Sequence, residues 1–129
     1  MAIKYRVRTK KDNISPQKGA KYYAVPVRSK EINMGQIAEV LSRRSSLSVG
    51  DVYATLIGMV PIIEEYLHDG CSVRVDGLGI FTVSASSEGF SDPKECVPRK
   101  VKAKKICFRA DVSLKKNLKS ITFKRDEKP

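Results

Sequence analysis

The chain is 129 residues long, 41% hydrophobic and 30% charged, and its 25 Lys/Arg against 14 Asp/Glu leave a net charge of +11. That length supports one domain with appendages, and no apolar run reaches the roughly 20 residues of a membrane-spanning helix. Three cysteines (Cys71, Cys96 and Cys107) without a CxxC spacing predict reduced thiols in a cytosolic protein. The basic start, MAIKYRVRTKK, lacks the hydrophobic block of a secretory signal.

The charge is unevenly spread. Residues 1–32 carry nine basic and two acidic side chains (+7), residues 33–70 carry two and five (−3), and residues 71–129 carry fourteen and seven (+7). A mildly acidic middle between basic flanks predicts a polyanion surface built from those flanks.

Residues 3–8, IKYRVR, set Ile3, Tyr5 and Val7 against Lys4, Arg6 and Arg8 and predict a strand. Residues 10–20 hold Asn, Ser, Pro and Gly and predict a loop. Residues 21–27, KYYAVPV, predict a second strand that Pro26 restricts to a sheet edge or strand end. The basic face of this 1–32 extension reads as solvent-facing, with polyanion contact as the alternative.

Asn33 opens the first helix, with Gln36 three residues on completing a capping box, and Met34, Ile37, Ala38 and Leu41 fall on one face. Ser48 and Asp51 repeat the pattern for a second helix over 49–68. That helix is apolar almost all round, including Leu56, Met59 and Ile63, so it needs two burial partners, and a second subunit supplies the missing one. Pro61 inside it removes one backbone donor and predicts a kink. Gly70 is its left-handed stop.

The stretch around which the rest is arranged is CSVRVDGLGIFTV, residues 71–83. Val73 and Val75 alternate with Arg74, Phe81 and Val83 alternate with Thr82, and Asp76-Gly77-Leu78-Gly79 predicts a tight reversal that uses both glycines for backbone angles closed to other residues. Residues 84–95 are polar and small. Residues 98–108, PRKVKAKKICF, read as extended, with Lys100, Lys102 and Lys104 on one face that Ile106 and Phe108 continue into a core. This is the pattern of an arm leaving a body. Asp111 caps a short helix to about Leu118 that buries Leu114 and Leu118, and 121–125 predicts a last strand paired with the N-terminal extension.

No phosphate-cradling GxxxxGK[ST], GxSxG or HExxH occurs, and the serine pairs Ser45-Ser46 and Ser86-Ser87 lack a base partner, so the reading is of a non-enzyme without cofactor or metal. The single histidine, His68, complements the end of its helix and has no second nitrogen ligand.

The order helix, helix, hairpin, basic arm, returning strand, short helix, together with LSVGDV, DGLGIF and FRADVSLKKNL in sequence, resembles the HU and integration host factor family of bacterial histone-like proteins. The resemblance covers residues 33–119, with the arm at about 84–105, and leaves 1–32 and 120–129 as added terminal segments. It implies an α+β fold: a two-helix hairpin, a three-stranded antiparallel sheet with a protruding β-arm, a short C-terminal helix and an intertwined dimer, plus extra terminal strands.

Functionally, the resemblance implies weakly sequence-specific binding and bending of double-stranded DNA through the minor groove, in the cytoplasm on the nucleoid, by a homodimer or a heterodimer with a paralogue. The DNA-binding residues it implies are Pro93 and Lys94 at the arm tip, Arg99, Lys100, Lys102, Lys104 and Lys105 along the arm, and Arg109, Lys115 and Lys116 beneath it. The implied dimer core is Leu56, Met59, Ile63, Leu78, Phe81 and Phe108. The tip departs from the family, since FSDPKEC brings Asp92 and Glu95 to a place that approaches phosphates. That departure motivates a second reading, an interaction module of the same fold that binds protein or RNA.

Overall fold

The computed structural model describes residues 2–10 and 21–127, so the predicted loop lies outside the described residues except for Lys10, which ends a strand. The fold is mixed α+β and divides into two compact units, one formed by residues 33–116 and the other by residues 1–32 with 117–129.

In the larger unit, α1 (Met34–Arg44) and α2 (Val49–His68) form a helical pair. Asn33 and Gln36 make the reciprocal capping box, with the Asn33 oxygen accepting from the Gln36 N–H at 2.9 Å and the Gln36 oxygen from the Asn33 N–H at 3.0 Å. At α2 the pattern is met by half: Ser48 Oγ accepts from the Asp51 N–H at 3.2 Å, and Asp51 serves as first-turn acid instead. α2 runs on through Pro61 and stops at Gly70, whose φ is +85°.

A three-stranded antiparallel sheet follows, in the order β3 (Val73–Val75), β4 (Gly79–Ser86), β5 (Lys102–Ala110). Only one glycine of the β3–β4 turn uses a left-handed backbone: Gly77 has φ +82°. Gly79 is required for a different reason. A Cβ there would overlap the Arg109 carbonyl oxygen and approach the Phe108 ring to 2.6 Å. The turn is tied at both ends, by Leu78 N–H to the Val75 carbonyl and Asp111 N–H to the Leu78 carbonyl, both at 2.9 Å.

The arm differs from the expected straight strand in two ways. Proline opens a 3-10 turn at Pro98–Lys100, so Lys100 precedes β5 and is not part of it. Register then shifts: Ser84 faces Lys105 while Ala85 faces Ala103, which leaves Lys104 as an extra, bulged residue. Because the bulge changes parity, Lys102 lies on the face opposite Ile106 and Phe108, not on their face as the uninterrupted alternation implied. The closing helix is also shorter than expected. α3 spans only Val112–Lys115, a 3-10 turn takes Leu118–Ser120, and Leu114 and Leu118 stay 51% and 59% exposed in the single chain.

The core of this unit is thin. Among the described residues only Ala38, Val52 and Leu67 are buried hydrophobics. Val60, Ile63 and Leu67 of α2 and Phe81, Val83 and Ile106 of the sheet line an open cleft of about 710 Å³.

The smaller unit is a second three-stranded sheet, ordered β2 (Lys21–Pro26), β1 (Ala2–Lys10), β6 (Thr122–Arg125). β1 pairs antiparallel with β2 and parallel with β6, and Pro26 sits at the end of the edge strand β2.

Candidate nucleic-acid interface

Register assigns the two faces of the β3–β4–β5 sheet. Phe81 pairs with Phe108 and Val83 with Ile106, so these four share the face toward the cleft. The two rings stack with centroids 4.8 Å apart at 42°. On the other face Arg74 stands opposite Ile80, Ile80 opposite Arg109, Ser84 opposite Lys105 and Ser86 opposite Lys102. The outcome is a line of exposed cations, Arg74, Arg109, Lys105 and Lys102, running from the body onto the arm. Ile80 lies between Arg74 and Arg109, and the small residues Thr82, Ser84, Ser86 and Cys107 space the rest.

At the body end, Arg74, Arg109 and Lys115 border one shallow depression of about 290 Å³ with Asp111. Asp111 holds this corner by accepting from the Val112 N–H at 2.9 Å and lying 3.8 Å from Arg74 Nη1. At the arm end, Arg99, Lys100 and Lys102 border a second depression with Ser86, Ser87 and Phe90. Lys100 Nζ sits 5.0 Å from the centre of the Phe90 ring, a cation–π distance that restrains the lysine.

The tip is a folded loop, since the paired ribbon ends at Ser86 and Lys102. Pro93 and Lys94 lie in a 3-10 turn over Pro93–Glu95, and the Asp92 carboxylate accepts from the Lys94 N–H at 3.0 Å. Asp92 therefore has a local task, fixing the turn on which Pro93 is displayed, and Pro93 itself is exposed.

The expected basic residues thus fall into separate places. Lys102, Lys105 and Arg109 share the cationic face; Lys115 joins them at the body, and Lys116 follows it at the end of α3. Lys104 is on the bulge, Arg99 and Lys100 are in a turn, and Pro93 and Lys94 are at the tip. Arg74 was missed by the sequence reading, although its alternation with Val73 and Val75 already set it opposite the apolar pair. Of the expected dimer residues, Leu56, Met59, Ile63 and Phe81 are half-buried, while Leu78 and Phe108 remain 41% and 46% exposed. His68 ends α2, exposed, with Nε2 3.8 Å from Glu64 Oε1. Among the described residues no helix is long and apolar enough to cross a membrane.

Two solved structures share this fold. A Bacteroides vulgatus chain described as a candidate bacterial DNA binding protein superposes with a TM-score of 0.67 at 12% identity, over 96% of this chain and 48% of its own. This chain therefore spans about half the length of that protein. The HU protein of Anabaena, cocrystallised with DNA, superposes with a TM-score of 0.51 at 17% identity, over 67% of this chain and 97% of its own. No curated protein matches the sequence. The family model described as "HU domain fused to wHTH, Ig, or Glycine-rich motif" matches residues 1–125, terminal strands included, and the chain belongs to that HU-HIG family.

Proposed function

We propose that this protein binds double-stranded DNA as a histone-like, weakly sequence-specific dimer that bends or compacts the duplex. The observation that carries the proposal is the line Arg74–Arg109–Lys105–Lys102 on one face that runs out along an arm. Cations in a row at strand spacing match a row of phosphates. The strands of this face hold no Asn, Gln, Asp or Glu, and its cations stand on a narrow ribbon and not on a helix suited to the major groove, so charge and duplex deformability govern binding. The described geometry supports the body face and the base of the arm as the main contact. The arms embrace the minor groove, with Pro93 presented at the tip as the wedge between base pairs.

The dimer is proposed on equally physical grounds. A chain whose described apolar residues include only three buried ones, beside an open apolar cleft, does not complete its core alone. A second copy seated against α2 and the Phe81–Phe108 face completes it, with a paralogue as an alternative partner. The protein is then a non-enzymatic component of the nucleoid in the bacterial cytoplasm.

Fluorescence anisotropy of a labelled ~30-bp duplex of arbitrary sequence, at about 50 and about 200 mM salt, tests the reading. With six to ten phosphates contacted, affinity falls by roughly 10³–10⁵ between those salts, with little dependence on sequence. Absence of duplex binding at low salt would leave the interaction-module reading, which the acidic residues Asp92 and Glu95 of the tip favour, and would turn attention to protein or RNA partners.

A further inference from the structure

The net charge is not where the chain order suggests. The strand β6 pairs with the N-terminal β1, and by sequence the unit of residues 1–32 and 117–129 holds thirteen basic and four acidic residues (+9), while residues 33–116 hold twelve and ten (+2). Most of the long-range attraction to a polyanion therefore originates outside the unit that resembles HU.

Within the smaller unit the charge is sorted by face. Tyr5 pairs with Arg125, Ile3 with Phe123 and Val7 with Ala24, so one face carries Ile3, Tyr5, Val7, Ala24 and Phe123 with Arg125 as its single charge on the paired strands. The other carries Lys4, Arg6, Arg8, Lys21 and Lys124 beside Tyr23 and Val25. Lys4, Arg8, Lys21 and Lys124 are exposed. The paired strands put no carboxylate on this face. The acid that closes it, Asp126, lies 3.0 Å from Arg6 Nε and answers that charge.

One pairing is costly for folding alone. Parallel register sets Lys4 directly beside Lys124, and like charges opposite one another on neighbouring strands destabilise a sheet. Solubility does not require that placement, because the same lysines dispersed over loops would serve. A row of phosphates would relieve the repulsion.

We propose that the basic face of the β2–β1–β6 sheet is a second duplex-DNA contact surface, in which Lys4, Arg8, Lys21 and Lys124 engage backbone phosphates without reading sequence. The proposal takes DNA as the partner from the function above but does not depend on the arm. It is tested in the full-length chain with the triple variant Lys4→Ala, Arg8→Ala, Lys124→Ala, compared with Lys102→Ala, Lys105→Ala, Arg109→Ala on the arm-side face. The readout is the dependence of duplex affinity on salt.

Each lost phosphate contact flattens the log–log salt slope by about 0.9, so the sheet variant is expected to lose close to three units per chain while retaining the arm-side contribution. A slope equal to that of the native chain would overturn the proposal, and so would weakened binding of single-stranded RNA with duplex binding unchanged. If the native chain does not bind duplex at all, both readings fail. If it binds and only the arm-side variant weakens it, this one fails alone. Lys124→Glu separates contact from folding: it replaces a like-charge pair by an opposite one, so the chain should melt no lower than the native protein yet bind duplex more weakly. Unchanged binding by that variant would also overturn the proposal.

Discussion

Gly79 shows how one residue is constrained by a neighbour that sequence cannot identify. Its backbone is not left-handed; it lies beneath the Phe108 ring and against the Arg109 carbonyl, so any side chain must displace both. Gly79→Ala is expected to destabilise by about 1–3 kcal/mol through overpacking, read as a lower denaturant midpoint at unchanged m-value. Gly77→Ala acts differently, by forcing a Cβ into the φ +82° region, and should cost about 1–2 kcal/mol without disturbing the Phe81–Phe108 contact. Asp92 is the other instructive residue. Read from sequence it is an unwelcome negative charge near phosphates, but its carboxylate is engaged by the Lys94 N–H. Asp92→Asn keeps an acceptor oxygen for that bond and removes the charge, so duplex affinity at low salt should rise modestly with the turn intact. A fall in affinity would show that the carboxylate does more than hold the turn.

At the scale of elements, the helices were legible because their signals are local. A capping pair, an apolar stripe and a glycine stop are all contained within the residues that fold, and α1 and α2 start and end where those signals lie. The arm was less legible because β-register belongs to two strands at once. The alternation of 98–108 placed Lys102 with Ile106, and one bulged residue, Lys104, moved it to the opposite face beside Lys105 and Arg109. This decides which lysines share a face. Lys102→Ala, Lys105→Ala and Arg109→Ala combined should flatten the salt slope by close to three units per chain, while Lys100→Ala, whose ammonium sits against Phe90, should change it by less than one. Equal effects from Lys100 and Lys102 would return the site to the straight-arm picture.

For the molecule as a whole, the proposed dimer would make association part of folding, because it would cover the open cleft beside the thin core. Sedimentation should give twice the 14.4 kDa chain mass, and the melting temperature should rise with protein concentration, as it does whenever the native state is an oligomer. Phe108→Ala, which removes one of the stacked rings and part of the exposed apolar face, should shift the monomer–dimer equilibrium toward monomer and lower the melting temperature together. A concentration-independent melt at monomeric mass would refute the dimer.

Periodicity, capping residues and motif order were enough to establish the α+β class, the helical pair, the hairpin and the family resemblance, because each depends on residues within about one turn or one strand of each other. Three features depended on partners distant in the chain. Gly79 meets Phe108, Lys104 is extruded by the pairing of β4 with β5, and β6 joins β1. The last of these matters most for the proposed second contact surface. A one-dimensional count divided the positive charge equally between two flanks, whereas the parallel pairing of β6 with β1 brings cations from both flanks, Lys4, Arg6, Arg8, Lys10 and Lys21 with Lys124 and Arg125, onto one small sheet. Charge acts through space, so its location was decided by which strands pair and not by their order.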